Sequence, residues 1–374
     1  MSNLKNQNLI YIRVDASIQI GSGHVERCLT LAKILSERDV MVHFICRSHI
    51  GHMEERIKSE GFNVTMLPST DEFIVEPGSN YRSWLGVSWE IDANDISQII
   101  LKSKPMCLIV DHYAIDVYWE RLVKSLTNIK IMAIDGLANR NHDCDMLLDQ
   151  TYSLNGISRW NGLVPSYCKL LSGAKYALLR PEFIKAKRSL SQRTGIIKRI
   201  LISFGGIDKL NSTRVALEAI IASNYNNITI DVVVGEGNPH MGDLKLRCDQ
   251  LDYVNLHIQT SEIAKLMASA DLSIGGGGTM IWERCYLGLP TILICIADNQ
   301  VNQAKSVHSY GAVIYLGIFK EGILTQIVEQ LNNLYSNPNL NISISKKALE
   351  LMNIPDYISH NGPTDFVVDA LLKI

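Results

Sequence analysis

Apolar and amphipathic segments alternate between residues 9 and 148, and this alternation constrains the fold more than any other feature. Buried strands are predicted at Leu9–Val14, Val40–Cys46, Asn63–Leu67, Met106–Asp111, Lys130–Ile134 and Met146–Leu148. Helical periodicity predicts helices at Val25–Glu37, Met53–Glu60, Asp92–Ser103 and Val117–Leu126. Such alternation is typical of a parallel sheet with helices on both faces. The segment Ser69–Ile91 interrupts the pattern and is interpreted as a loop insertion.

The pattern restarts after a basic, polar stretch at Phe183–Lys198, which is interpreted as a linker. Further strands are predicted at Arg199–Phe204, Ile228–Val234, Val254–His257, Leu272–Ile274 and Thr291–Cys295, and further helices at Thr213–Ser223, Glu262–Ala268 and Met280–Leu287. A chain of 374 residues is also too long for one core of usual size. We therefore expect an α/β protein with two Rossmann-like domains, at residues 1–185 and 196–355, and a cleft between them. In residues 356–374 we expect a helix at Phe366–Leu372 that packs back on the first domain.

Charge and cysteine content exclude several classes of protein. The formal net charge is -2 and the sequence pI is about 6.6, which favours neither a nucleic-acid nor a membrane surface. No apolar run reaches the length of a membrane span, and residues 1–8 do not resemble a signal peptide. The eight cysteines are scattered, several in apolar runs, and are interpreted as reduced core residues. We expect a cytoplasmic protein that is a monomer or a weak dimer.

The stretch from Arg13 to Arg27 follows the first predicted strand and opens the first predicted helix. It places Asp15 and His24 near the carboxyl end of that strand, where open α/β sheets bind ligands. Gly21 and Gly23 allow positive φ and a close approach of a ligand to the backbone. A histidine in this position can be a general base, a partner for an anion, or a plain helix-capping residue.

A second glycine loop, Gly275–Gly278, closes a predicted strand and is followed by Thr279 and a helix. Such a loop can hold a pyrophosphate on free N–H groups, and Glu283, one turn into the helix, can accept hydrogen bonds from ribose hydroxyls. The alternative is a glycine turn with an acidic residue that favours the helix N-terminus. We favour phosphate binding, because four glycines exceed what a turn needs.

Three weaker candidates follow other predicted strands or precede the linker. Gly206, in Phe204–Asp208, lies in another glycine turn that can bind a phosphate, although a helix cap by Asn211 or Ser212 explains the polar residues there equally well. Arg180 can bind a phosphate or a substrate carbonyl, or can pair with Glu182 or another carboxylate. The amides Asn299, Gln300 and Asn302 suit sugar hydroxyls or acetamido groups, with a helix cap by Asn299 as the alternative.

Two further groups of polar residues follow predicted strands. Asp111-His112-Tyr113 ends a strand and points to the same ligand-binding edge as the first glycine loop. The cluster His142-Asp143-Cys144-Asp145 has no spacing typical of zinc ligands, so we expect a solvated loop and no metal site.

An ordered set of motifs between residues 9 and 303 resembles one family, the UDP-2,4-diacetamido-2,4,6-trideoxy-β-L-altropyranose hydrolases of bacterial pseudaminic acid synthesis. The motifs are Gly21-Ser-Gly-His24-Val-Glu-Arg27-Cys-Leu, Asp111-His-Tyr113, Asp143-Cys-Asp-Met-Leu-Leu-Asp149-Gln150, Tyr176-Ala-Leu-Leu-Arg-Pro-Glu-Phe183, Ser203-Phe-Gly-Gly206, Trp282-Glu-Arg-Cys285 with Leu287-Gly-Leu-Pro290, and Asn299-Gln300. This family is similar to GT-B glycosyltransferases, above all the UDP-N-acetylglucosamine transferase of lipid II synthesis. The resemblance implies a GT-B-like fold and an enzyme that transfers the sugar to water.

The resemblance also implies roles for individual residues. UDP is expected in the C-terminal domain, with Glu283 on the ribose and Gly277, Gly278, Thr279 and Gly206 around the diphosphate. The sugar is expected near His24, which activates water, with Asp15 orienting His24 or binding a hydroxyl. The residues assigned to the substrate are Gly21, Gly23, Tyr113, Arg180, Asn299, Gln300 and Asn302. An imidazole is well suited to accept a proton from water near pH 7.

The chain departs from the family pattern at several positions. Met280 stands where the family has a hydroxyl residue, Asp208-Lys209 replaces Asp-Pro, and Gly136 and Asn139 replace two aspartates. These differences bear on the identity of the sugar more than on the fold. The expected activity is metal-independent hydrolysis of a UDP-sugar with inversion at C1 and no cofactor. A GT-B glycosyltransferase and a non-catalytic nucleotide-sugar binder remain the alternatives.

Overall fold

The computed structural model describes residues 8–69, 81–353 and 362–374. Its strands are β1 Leu9–Val14, β2 Met41–Arg47, β3 Asn63–Leu67, β4 Cys107–Asp111, β5 Lys130–Ile134, β6 Met146–Asp149, β7 Lys169–Ser172, β8 Arg199–Ser203, β9 Thr229–Val234, β10 Val254–Ile258, β11 Leu272–Gly276, β12 Thr291–Cys295 and β13 Ile314–Ile318. Its α-helices are α1 Gly23–Glu37, α2 Glu54–Ser59, α3 Trp89–Ser103, α4 Val117–Thr127, α5 Pro181–Arg188, α6 Ser212–Ala222, α7 Met241–Cys248, α8 Ile263–Ser269, α9 Met280–Tyr286, α10 Val301–Ser309, α11 Ile323–Ser336, α12 Pro338–Met352 and α13 Pro363–Leu371.

The described residues form two compact units. The first contains the residues up to Thr151, Asn155–Leu178 and the residues from 362 onward. The second contains Tyr152–Leu154 and the residues from Leu179 to 353. The boundary therefore lies between Leu178 and Leu179, seven positions before the predicted limit at residue 185.

The first unit is built on a parallel sheet of seven strands in the order β3-β2-β1-β4-β5-β6-β7. Its inner strands are largely apolar and buried, because helices cover both faces of such a sheet, whereas the edge strands β3 and β7 are only partly buried. The strand order reverses direction between β1 and β4, and the carboxyl ends of the strands at such a point commonly bind ligands. The first glycine loop follows β1, and β4 ends at Asp111, so both lie at this switch point.

The C-terminal helix α13 belongs to the first unit and packs against α1. Val367, Val368 and Leu371 lie in the same buried cluster as Leu31 and other apolar residues of α1. At the edge of this contact, Arg38 donates to Asp365 at 3.0 Å and to Asp369 at 3.2 Å. These ion pairs are partly exposed, so most of the stability of the contact comes from apolar burial.

The second unit repeats this architecture with six parallel strands in the order β10-β9-β8-β11-β12-β13. Its switch point lies between β8 and β11. Gly205-Gly206 follows β8, and the loop Gly275–Gly278 begins within β11. The two glycine loops therefore lie at the ligand-binding edge of this sheet. The prediction of an α/β protein with two Rossmann-like domains is confirmed.

Several boundaries differ from those predicted. The proposed linker Phe183–Lys198 begins inside α5, whose basic last turn made it look unstructured although Phe183 and Ile184 are buried. Within the proposed insertion Ser69–Ile91, the structure has a 3-10 helix at Tyr81–Leu85 and the start of α3, while residues 70–80 lie outside the described part.

Other elements have no counterpart among the predictions. These are β7, α5, α7, β13, α10, α11 and α12.

Candidate functional site

His24 lies in the first turn of α1, and its ring is held by Asp111 at the end of β4. The Nδ1 atom of His24 is 2.6 Å from Oδ1 of Asp111. When Nδ1 carries the proton and donates it to the carboxylate, the lone pair of the neutral imidazole is on Nε2. Within the described residues, Nε2 makes no hydrogen bond. The geometry therefore presents a histidine that is oriented by a carboxylate and has one basic nitrogen to use.

Asp111 is a fully buried carboxylate with several donors. Arg27, one turn after His24 on α1, donates to both carboxylate oxygens at 2.5 Å, and the Cys28 thiol donates to Oδ2 at 3.4 Å. Burial alone would raise the pKa of Asp111, but the positive charge of Arg27, and then His24, hold it well below its usual range. Asp111 is therefore ionised at neutral pH and can stabilise a protonated His24.

Aromatic side chains surround the His24 ring. Tyr113 packs edge-on at a centroid distance of 4.7 Å, and Trp84 packs edge-on at 6.2 Å. Trp84 also stacks on Tyr113, and Tyr81 contacts both of these rings. Burial raises the pKa of Tyr113 to about 12, so its hydroxyl keeps its proton at neutral pH and can donate to a ligand.

Asp15 contacts other partners than His24. Its Oδ1 accepts from Arg13 Nη1 at 2.6 Å and from the backbone N–H of Arg47 at 2.7 Å, and His112 Nε2 is 3.2 Å from Oδ2. Burial opposes ionisation, but Arg13 and then His112 hold the pKa of Asp15 well below its usual range. The carboxylate that contacts His24 is thus Asp111, and the expectation that Asp15 orients His24 does not match these contacts.

The glycines of the first loop differ in their backbone conformation. Gly21 has φ +81° and donates its N–H to the carbonyl of Ser17 at 2.9 Å, which closes a tight turn. Gly23 is the first residue of α1 and does not have positive φ. No atom lies within 4 Å of the position that a Cβ would take at either glycine, so neither is required by packing.

In the second unit, Glu283 of α9 is held by Arg180, which immediately precedes α5. Arg180 Nε donates to Oε1 of Glu283 at 2.9 Å, and Arg180 Nη1 lies 3.3 Å from Glu182. The other oxygen of Glu283, Oε2, is buried and has no hydrogen-bond partner within the described residues. A buried carboxylate oxygen without a donor is costly, and a hydroxyl of a ligand would satisfy it.

The glycine loop of the second unit lies above a buried arginine. Arg284 donates to the carbonyls of Gly276 at 2.8 Å and of Ser203 at 2.7 Å. A Cβ at Gly275 would overlap both the Arg284 guanidinium and the Ser203 carbonyl, so this glycine is required by packing. Burial lowers the pKa of Arg284 to about 10, and it remains a cation at neutral pH. The positive charge of Arg284 therefore lies against the carboxyl ends of both β8 and β11.

The remaining loop residues are more open. Gly277 and Gly278 lie beside the Gln300 side chain, whose Oε1 accepts from the backbone N–H of Ile296 at 3.1 Å. The Thr279 side chain forms no hydrogen bond to α9 as its N-cap. Within the described residues, Oδ1 of Asn299 is buried without a partner. The remaining amide of this group, on Asn302, is exposed.

Gly206 lies in open space, and the helix that follows it is capped by Asp208. No atom lies within 4 Å of a Cβ placed on Gly206. Asp208 accepts from the backbone N–H of Ser212 at 3.0 Å and of Thr213 at 2.7 Å. Capping by Asn211 or Ser212 is therefore not what the structure shows. The N–H groups at the start of α6 are engaged by a carboxylate and do not offer an anion site.

The proposed solvated loop around His142 is in fact an ordered charge cluster. His142 is buried and lies 2.7 Å from Glu120 and 3.0 Å from Asp135, which also pairs with Arg140 at 2.7 Å. Burial opposes its protonation, but Glu120 and then Asp135 raise the pKa of His142 to about 9. We interpret His142 as a structural residue.

Residues 8–69, 81–353 and 362–374 contain no group of three or more metal-ligating side chains placed to hold an ion. In the same residues, no helix is long and apolar enough to cross a membrane.

Comparison with known protein families gives a match in the second unit. Residues 200–359 match the glycosyltransferase family 28 C-terminal domain. The chain is 29% identical over 297 residues to UDP-2,4-diacetamido-2,4,6-trideoxy-beta-L-altropyranose hydrolase of Campylobacter jejuni, covering 79% of this chain and 94% of that protein. It is 22% identical to the spore coat polysaccharide biosynthesis protein SpsG of Bacillus subtilis, covering 91% and 93% of the two chains.

Solved structures agree in fold. MurG of Acinetobacter baumannii superposes with a TM-score of 0.63 at 14% identity, covering 98% of this chain and all of that one. The spinosyn rhamnosyltransferase SpnG superposes with a TM-score of 0.60 at 15% identity, covering 96% and 99%. The chain is thus an α/β protein of GT-B fold whose residues 200–359 match the glycosyltransferase family 28 C-terminal domain, and it is similar in sequence to a UDP-sugar hydrolase.

Proposed function

We propose that this protein is a hydrolase of UDP-linked 2,4-diacetamido-2,4,6-trideoxy sugars, acting at C1 with inversion and without a metal ion. It would release UDP and a free sugar for pseudaminic acid synthesis. The observation that carries the proposal is the His24–Asp111 pair, with Nδ1 engaged and Nε2 unengaged. The Campylobacter jejuni relative is named as a hydrolase of such a UDP-sugar, and the similarity to it supports the proposed substrate class.

In the proposed reaction, His24 is the general base. Nε2 accepts a proton from water while the water oxygen attacks C1, and the bond between C1 and the diphosphate oxygen breaks with its electrons going to UDP. Asp111 accepts the hydrogen bond from Nδ1 and stabilises the imidazolium that forms. Arg27 keeps Asp111 ionised and fixes its orientation. Attack from the face opposite UDP inverts the anomeric centre.

The second unit would bind the leaving group. The unpartnered Oε2 of Glu283 is a suitable acceptor for a ribose hydroxyl, and Arg180 holds the other oxygen in place. Beneath the glycine loops, the Arg284 charge favours the diphosphate anion that develops as the bond breaks. We assign Gly206, Gly277, Gly278 and Thr279 to the diphosphate, and Asn299, Gln300 and Asn302 to the sugar.

The test is incubation of the purified protein with a panel of UDP-sugars, with NMR of the products. We expect UDP and a free sugar of inverted anomeric configuration from a diacetamido-trideoxy substrate, at the same rate with and without EDTA. Retention of configuration, or a product that forms only when an acceptor alcohol is added, would contradict the proposal. The second outcome would favour a glycosyltransferase, which the GT-B neighbours keep as the alternative.

The role of Glu283 leads to a specific prediction about nucleotide binding. Glu283→Gln should weaken UDP binding about 10- to 100-fold, the usual effect of losing a hydrogen bond to a charged group. The same variant should bind 2′,3′-dideoxyuridine diphosphate almost as well as the wild-type protein does, because that nucleotide lacks both ribose hydroxyls. Calorimetric titration of both nucleotides measures the difference.

Glu182→Gln is the matched control for this prediction. Glu182 also pairs with Arg180 but is more exposed than Glu283. We expect its UDP affinity to stay within about twofold of wild type, as is usual for a solvent-exposed ion pair. Equal losses for UDP and the dideoxy nucleotide in Glu283→Gln would show that Glu283 does not contact the ribose.

A further inference from the structure

Two cysteines of the first unit lie side by side. The Sγ atoms of Cys144 and Cys168 are 3.7 Å apart, a distance at which either thiol can donate a hydrogen bond to the other. Seven of the eight cysteines are buried, and Cys168 alone is partly exposed. A reagent in solution therefore reaches Cys168 before any other thiol, and the nearest partner for the oxidised sulfur is Cys144.

The backbone around these cysteines has the geometry that a disulfide needs. β6 and β7 are parallel neighbours in which Met146 pairs with Lys169, so Cys168 immediately precedes β7, and Cys144, two residues before β6, is offset from it by one position. The N–H of Lys169 donates to the carbonyl of Asp145 at 2.9 Å, which fixes this register. Neighbouring strands are about 4.8 Å apart, and an offset of one residue along the strand adds about 3.3 Å at a right angle, which gives about 6 Å between Cα atoms, within the range that a disulfide spans. Both side chains pack into the same apolar cluster, so they project to the same face.

The surroundings of Cys168 favour its thiolate. The hydrogen bond from the Cys144 thiol lowers the pKa of Cys168, against the opposing effect of burial. The nearby charge of His142 acts in the same direction, while Glu120 and Asp145 act against it. The same hydrogen bond, and then burial, raise the pKa of Cys144. A partly exposed thiol with a lowered pKa beside one buried thiol is the arrangement of a nucleophile and its resolving partner.

We propose that Cys168 and Cys144 are a reactive dithiol. When the protein reacts with a low-molecular-weight disulfide, these two cysteines form an intramolecular disulfide with each other. The Cys168 thiolate attacks one sulfur of the reagent, breaks its S–S bond and releases one thiolate. Cys144, after losing its proton to solvent, attacks Cys168 sulfur and releases the second thiol. The two protein thiols lose two electrons and two protons in total, and the reagent is reduced to two thiols. The site is independent of the proposed hydrolase activity.

The test uses the full-length reduced protein and oxidised glutathione, followed by alkylation of the remaining thiols, intact mass and peptide mapping. We expect the wild-type protein to become lighter by two hydrogens, with the link mapped to Cys144 and Cys168 and no glutathione retained. Cys144→Ser should retain one glutathione on Cys168, because the resolving thiol is missing. Cys168→Ser should react with oxidised glutathione much more slowly than the wild-type protein and Cys144→Ser do.

Cys248→Ser is the matched control, since Cys248 is buried and forms no hydrogen bond with another thiol among the described residues. It should form the same disulfide as the wild-type protein. Retained glutathione on the wild-type protein, a link between other cysteines, or equal reactivity of Cys168→Ser and wild type would each overturn the proposal. Circular dichroism of every variant establishes that a slow reaction does not reflect loss of folding.

Discussion

His24→Ala is expected to lower kcat for UDP-sugar hydrolysis by about 100- to 10,000-fold, the usual contribution of a general base. The affinity for UDP should not change, because the proposed nucleotide contacts are made by Glu283 and other residues of the second unit. The fold should also be retained, because Arg27 still donates to both oxygens of Asp111 after the imidazole is removed. Coupled measurement of UDP release and calorimetric titration of UDP give the two quantities separately.

His52→Ala is a suitable control for this experiment. His52 is exposed and accepts a hydrogen bond from the backbone of Glu54 at the start of α2. Its replacement should leave kcat and UDP affinity unchanged. Hydrolysis by His24→Ala at a rate within a few fold of wild type would exclude His24 as the base. Loss of UDP binding in the same variant would instead point to a wrong assignment of the nucleotide site.

The second large effect is expected in stability and its dependence on pH. The pKa of His142 is raised to about 9 by Glu120 and Asp135, against an unfolded value of about 6.5. A raised pKa means that the folded state gains stability from protonation below pH 6.5 and loses it as the pH rises through about 9. The full contribution is about 3 kcal/mol. His142→Gln should remove it and leave buried Glu120 without its charged partner, while Asp135 keeps Arg140, at a total cost of about 3–5 kcal/mol near pH 6.

The measurement is urea unfolding of wild type and His142→Gln at several pH values between 6 and 9.5, followed by tryptophan fluorescence. Four of the five tryptophans lie in the first unit, so the signal reports mainly on its unfolding. The difference between the two proteins should shrink as the pH rises. His43→Gln is the control. Burial lowers the pKa of His43, so its protonation does not stabilise the fold, and the variant should lose stability with rising pH as the wild-type protein does. A difference that stays constant from pH 6 to 9.5 would contradict the prediction.

The fold was largely predictable because its strands carry a local signal. Leu9–Val14, Asn63–Leu67, Lys130–Ile134 and Thr291–Cys295 were predicted with the bounds that they have in the structure. In Lys130–Ile134 and Thr291–Cys295 the apolar residues are continuous, because both faces of a parallel sheet are buried. Elements with mixed composition, such as β13 and α12, gave no such signal. The glycine loops were found because each directly follows or ends a strand.

The partners within the site were not predictable in the same way. The sequence predicts that Asp15 orients His24 or binds a sugar hydroxyl, whereas the carboxylate that contacts His24 is Asp111, which is 87 residues away and reaches it only because β4 lies beside β1. The contact between Arg180 and Glu283 likewise joins residues 103 positions apart. Arg27 did carry a local signal, since a residue three positions after His24 lies on the same helix face.

The packing of Arg284 under the second glycine loop has a consequence for protein engineering. Libraries that aim to change nucleotide preference usually randomise a whole loop, but the positions here are not equivalent. Any side chain at Gly275 would collide with the guanidinium and with the Ser203 carbonyl, so most library members changed there would be lost to misfolding. Gly206 and Gly278 have room for a side chain. Gly206 belongs to the neighbouring turn after β8, so diversity confined to these two positions would alter what both glycine loops present to a ligand and leave the scaffold intact.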